Sequence, residues 1–132
     1  MLSQLRISLG LAVIINTVTM LHTASGGQIF VANQGAGTIG EYTTSGATVN
    51  ASLVSGLSNP ADIKVSGTNL FVTNDGGGTI GEYTTSGATV NASLVSGLNN
   101  PFGIAVSGTN LFVTNFTAGT IGEYTTSGAT VN

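Results

Sequence analysis

The chain has 132 residues, 20 of them glycine, and only 5% are charged: two basic residues against five acidic ones, for a formal net charge of −3. The lack of cysteine excludes a disulfide framework, a thiolate metal site and a cysteine nucleophile. Two basic residues cannot track a phosphate backbone, so nucleic acid is excluded as a partner.

Arg6 supplies a positive start. Ile7 to Leu21 is a mostly apolar stretch broken by Ser8, Gly10, Asn16, Thr17 and Thr19, and Ala24-Ser25-Gly26 puts small residues where a signal peptidase reads. Residues 1–26 are therefore expected to be a cleaved signal peptide, and the protein to be secreted or held in the cell envelope. A membrane-spanning helix needs about 18 or more apolar residues, so no stable span is expected once the leader is gone. Cleavage after Gly26 removes the only arginine and the only histidine, Arg6 and His22. It leaves one Lys (Lys64) against five acids (Glu41, Asp62, Asp75, Glu82, Glu123), a formal charge of −4.

A tandem array follows. GTIGEYTTSGATVN runs from Gly37 to Asn50 and returns at Gly78 to Asn91 and at Gly119 to Asn132, a spacing of 41 residues; units 37–77 and 78–118 agree at 34 of those 41 positions. Gly, Thr, Ser and Asn interrupt every helical period. The apolar runs between them are short, β-branched or aromatic, and bounded by turn residues, which is the strand signature. Each unit reads as four strands. In the last unit they begin with Gly103–Ser107, the turn Ser107-Gly108-Thr109-Asn110, Leu111–Asn115 and Thr120–Thr125. The fourth strand is visible in the earlier units as Thr48–Val54 and Thr89–Val95. Four short antiparallel strands in about 40 residues make a propeller blade.

The expected fold is all-β, an incomplete, open β-propeller of about two and a half four-stranded blades after the signal peptide. Residues 27–59 form a first blade without its first strand, 60–100 a second, and 101–132 a third without most of its fourth strand. Open strand edges at both ends invite self-association.

Gly35-Ala36-Gly37-Thr38-Ile39-Gly40 and Gly76-Gly77-Gly78-Thr79-Ile80-Gly81 fit G-x-G-x-x-G. A dinucleotide site needs a helix after the glycines, whereas TIGEYT reads as a strand, so these are expected to be hairpin glycines with positive φ. Glu41, Glu82 and Glu123 recur once per blade. They are candidate Ca²⁺ ligands, with a glutamate tied to nearby Thr and Ser hydroxyls, or simply solvated, as the favoured reading. Asn50, Asn91 and Asn115 open N-x-S/T sequons. The absence of His, Arg and Cys after residue 26 excludes Ser/His/Asp catalysis and a His-ligated metal. No cofactor is expected.

The seven differences between the two full units cluster in two places: the connection into the first strand (Ser58/Asn99, Ala61/Phe102, Asp62/Gly103, Lys64/Ala105) and the loop between the second and third strands (Asp75/Phe116, Gly76/Thr117, Gly77/Ala118). Both lie toward one face of a propeller. Asp62, Lys64, Asp75, Phe102 and Phe116 are therefore the candidate ligand-face residues.

Asn100-Pro101-Phe102-Gly103-Ile104-Ala105-Val106, Asn110-Leu111-Phe112-Val113-Thr114-Asn115 and Gly119-Thr120-Ile121 together resemble the NHL-type propeller repeat. The resemblance covers essentially residues 28–132. It looks most like the arrays of secreted bacterial proteins that end in a C-terminal sorting anchor, a segment not seen here. The second unit departs from the pattern at Ala61-Asp62. The resemblance implies the fold and an extracellular setting, but no particular function. The expectation is a non-enzymatic binding or scaffolding module with a protein or glycan ligand. The alternatives are a piece of a metal-dependent lactonase- or hydrolase-like propeller and a self-assembling β-rich extracellular fibre component.

Overall fold

The computed structural model describes residues 18–23 and 27–132. These residues form eleven strands in three antiparallel sheets, with no helix among them. The first sheet holds β1 (Val18–Thr23), β2 (Gln28–Asn33), β3 (Thr38–Thr43) and β4 (Thr48–Val54) in sequential order. The second repeats that order with β5 (Pro60–Ser66), β6 (Asn69–Asn74), β7 (Thr79–Thr84) and β8 (Thr89–Val95). The third holds β9 (Pro101–Ser107), β10 (Asn110–Asn115) and β11 (Thr120–Thr125). The all-β, open, blade-like architecture read from the repeat is the one observed. The first strands β1, β5 and β9 are neighbours from sheet to sheet, which places them on the inner side of the array.

The first sheet differs from expectation. It has a first strand, and that strand comes from within the segment read as a leader: Leu21 lies opposite Val31, His22 opposite Phe30 and Thr23 opposite Ile29. The reason is that an apolar run containing β-branched residues serves an h-region and a strand equally well, and β2 offers it a backbone edge to pair with. The rest of that segment, including Arg6 and the junction after Gly26, lies outside the described residues. In the third sheet a single antiparallel Tyr124–Thr130 bridge lies beside β11.

Identical turns join the strands in each unit. Thr43, Thr84 and Thr125 each place a side-chain oxygen 2.8 Å from the hydroxyl of the serine two residues on. The same oxygen accepts the N–H of Ala47, Ala88 or Ala129 at 3.0 Å. Between the second and third strands, Gly37, Gly78 and Gly119 have φ of 63°, 61° and 66° and lead into strands, as the hairpin reading required.

Two apolar layers hold the sheets together. Phe30, Ala32, Ile39 and Val54 of the first sheet pack on Ile63, Leu70, Val72 and Tyr83 of the second. Phe71, Ile80 and Val95 of the second pack on Ile104, Leu111, Val113 and Tyr124 of the third. Period-two alternation sends Leu70 and Val72 to one face and Phe71 and Thr73 to the other. Both faces of the middle sheet are covered, so β6 is buried from Leu70 to Asn74. In β10, of identical sequence, Leu111, Val113 and Asn115 are buried while Phe112 is only partly covered and Thr114 is exposed.

Candidate functional site

The loops between second and third strands lie against the connections entering the first strands. The Asp75 N–H donates to the Asn59 carbonyl at 3.0 Å, and the Phe116 N–H donates to the Asn100 carbonyl at 2.9 Å. Asn59 and Asn100 both sit at φ 52°, a left-handed conformation that asparagine tolerates better than most residues. Each precedes a proline that starts the next sheet.

At the junction of the second and third sheets this arrangement is tied down by two side chains. The Thr73 hydroxyl donates to the Phe102 carbonyl at 2.7 Å, and Asp62 Oδ2 accepts the Ile104 N–H at 2.9 Å. The backbone from the Phe102 carbonyl to the Ile104 N–H is thus fixed to the preceding sheet. The Phe102 ring projects outward and meets Phe116, with ring centroids 6.4 Å apart and planes tilted by 46°. Phe102 is 40% and Phe116 77% exposed. With Asp75 and Asn100 they line a concavity of about 350 Å³.

The five ligand-face candidates therefore separate. Asp75, Phe102 and Phe116 come together; Asp62 and Lys64 do not join them, which corrects their assignment to the ligand face. Asp62 is 2% exposed. Its Oδ1 accepts the Ile63 N–H at 2.7 Å and lies 3.4 Å from Lys64 Nζ. It is a buried tie between sheets, because β5 alternation turns it toward the third sheet rather than toward solvent. Lys64 follows it along the same face, opposite Phe71. Asn100 is the cleft residue that the unit comparison missed. It is identical in both units as Asn59 and Asn100, so only its placement beside two phenylalanines distinguishes it.

Glu41, Glu82 and Glu123 are each held within their own sheet. Their Oε1 atoms accept from the side-chain amides of Gln28, Asn69 and Asn110 at 2.6, 2.6 and 2.7 Å. The partner is an amide on the second strand rather than a hydroxyl, because Glu41 faces Phe30 across the ladder and Gln28 is that residue's same-face neighbour. No group of three or more His, Cys, Asp or Glu side chains is placed to hold a metal among the described residues.

Asn50 and Asn91 are exposed, and each accepts the N–H of the serine two residues on. Asn115 is buried, so its sequon is not presented. Tyr83 is buried over Gly81, where a Cβ would come 2.6 Å from the phenol oxygen. Burial raises the Tyr83 phenol above the ordinary tyrosine value, and the Asn74 side chain partly offsets this.

No protein-family model and no curated protein matches the sequence. Solved structures do. A streptogramin B lyase structure superposes with a TM-score of 0.72 at 18% identity, over 86% of this chain and 39% of that one. Virginiamycin B lyase from Staphylococcus aureus gives 0.65 at 18%, over 80% and 36%. The computationally designed Ika4 protein gives 0.64 at 16%, over 89% and 72%. The chain spans well under half the length of the two lyases. At these identities the likeness is one of fold, a repeated array of propeller-type sheets.

Proposed function

We propose that the protein is a non-enzymatic binding module built from NHL-type propeller repeats, working outside the cytoplasm and taking a protein or glycan ligand on its loop face. The observation that carries this reading is the Phe102–Phe116 pair. Two large apolar rings are held in solvent by a hydrogen-bonded backbone, at positions where the other full unit has Ala61 and Asp75. Exposed aromatic side chains beside a polar rim mark interaction sites. The NHL-type assignment draws on Asn100 to Val106, most of which lies in β9, and on Asn110 to Asn115, which is β10. The extracellular assignment draws on Arg6, Ile7–Leu21 and Ala24-Ser25-Gly26.

The likeness to lyases is one of fold, and the one His and the one Arg of the sequence, His22 and Arg6, both fall in the segment read as a leader. Glycan and peptide arrays probed with the labelled chain test the proposal. Binding that the F102A/F116A double variant abolishes supports it. Arrays with no retained signal, or binding that F102A/F116A leaves intact, overturn it.

A second reading, assembly through the open array, is favoured by one comparison. Ile39 and Ile80 are fully buried, whereas Ile121, at the same position of the third unit, is 69% exposed. That face repeats the one that the second sheet presents to the third.

A further inference from the structure

We propose that the cleft between the second and third sheets recognises an organic cation, an ammonium or guanidinium group on an alkyl stem. This rests on the reading of that cleft as a ligand site and specifies its chemistry.

Five acids lie among the described residues. Glu41, Glu82 and Glu123 are bonded to amides, and Asp62 is bonded to two backbone N–H groups and lies beside Lys64. Asp75 alone has a carboxylate with no partner among the described residues. Its backbone N–H and carbonyl shape the turn, donating to and accepting from Asn59 and Gly78. Asp75, which carries that free carboxylate, and the two exposed phenylalanines line the same concavity. The corresponding positions at the first junction are Gln34, Asn59, Ala61 and Asp75, which bring no ring.

The residue types select the ligand. An anion would meet Asp75 with no compensating charge, since Lys64, the lone cation between residues 27 and 132, is engaged with Asp62. A purely apolar plug would strip water from the Asp75 carboxylate and supply no partner, which is unfavourable. A neutral sugar would find one carboxylate and one amide for its many hydroxyls. A cation pairs with Asp75, is attracted by the negative faces of the two rings, and lays its alkyl stem along them. Asn100 remains free to accept a further N–H. The net negative charge of the chain draws such a ligand in from solution.

The test is a titration of the 132-residue chain followed by the aromatic NMR resonances of Phe102 and Phe116. The probes are spermidine, acetyl-lysine amide, the neutral isostere acetyl-norleucine amide, and cellobiose. Both cations are expected to move the two ring signals saturably, with affinity that falls as salt is raised. D75N is expected to weaken them about tenfold or more, and F116A comparably, at an unchanged melting temperature because neither side chain is buried. Response to acetyl-lysine amide but not spermidine assigns the cation to a peptide side chain, and the reverse assigns it to a free polyamine. Equal response to acetyl-norleucine amide, or undiminished cation binding by D75N, overturns the cation while leaving a ligand cleft. Silence of both rings toward every probe overturns the cleft as well.

Discussion

Asp62 reaches across 42 positions of sequence to accept the N–H of Ile104 in the adjacent sheet, at 2.9 Å and almost completely out of solvent. Asp62→Ala strands two buried backbone N–H groups, those of Ile63 and Ile104, and removes the Lys64 ion pair. It is expected to destabilise the chain by about 2–4 kcal/mol, read as a lower denaturation midpoint with an unchanged slope. Gly103, the equivalent residue of the third unit, keeps the same backbone bond to a threonine hydroxyl at 2.8 Å but has no carboxylate. Gly103→Asp is therefore expected to leave stability nearly unchanged.

Ile80 and Ile121 occupy the same place in identical TIGEYT strands, one fully buried and one mostly exposed. Ile80→Ala is expected to cost about 2–5 kcal/mol. Ile121→Ala should stay within about 0.5 kcal/mol. Equal costs in chemical denaturation would mean that Ile121 is covered in solution. The assembly reading predicts that outcome at high protein concentration, with light scattering that Ile121→Lys reduces.

Gly78 and Gly108 share a positive φ, 61° and 58°, but not their surroundings. A Cβ on Gly78 would lie 2.6 Å from the Leu98 carbonyl oxygen, whereas one on Gly108 meets nothing within 4 Å. Gly108→Ala is expected to cost about 1 kcal/mol from backbone strain alone. Gly78→Ala should cost more, because the clash is with backbone and also presses on the Leu98 N–H to Gly78 carbonyl bond. Paired thermal melts measure the difference.

Tyr83 makes stability sensitive to alkali. Its pKa is raised in the folded state, chiefly by burial. Above the ordinary tyrosine value of about 10 the unfolded chain releases this proton while the folded chain retains it. The contribution is therefore complete below that pH and is lost as pH rises through the folded-state value. Denaturation midpoints at pH 8 and 11 are expected to fall less in Tyr83→Phe than in the unchanged protein.

Removing residues 1–26 takes β1 with them and leaves the inner edge of β2 unpaired. Residues 27–132 alone are expected to be less stable than the full chain by roughly 2 kcal/mol, given the net worth of a few ladder hydrogen bonds. They are also expected to pair more readily through that edge. N-terminal sequencing of the protein isolated from its source cells and their medium shows which form the cell makes.

The 41-residue period, the short β-branched runs and the turn residues between them determined the strands. Thr48–Val54, Thr89–Val95 and Thr120–Thr125 coincide with β4, β8 and β11 because local pattern and turn chemistry act within a few residues. The clustering of differences at Asp75, Phe102 and Phe116 likewise marked the cleft, since loops of one face converge in any such array. Other features were decided only in three dimensions. The apolar segment Val18–Thr23 joins a sheet because β2 offers it an edge, although its composition equally suits a leader. Asp62 became a buried tie because strand alternation turned it toward the next sheet. Identical isoleucines and identical NLFVTN strands came to differ in burial because burial depends on what lies against a face, and a copied sequence carries no record of its neighbour.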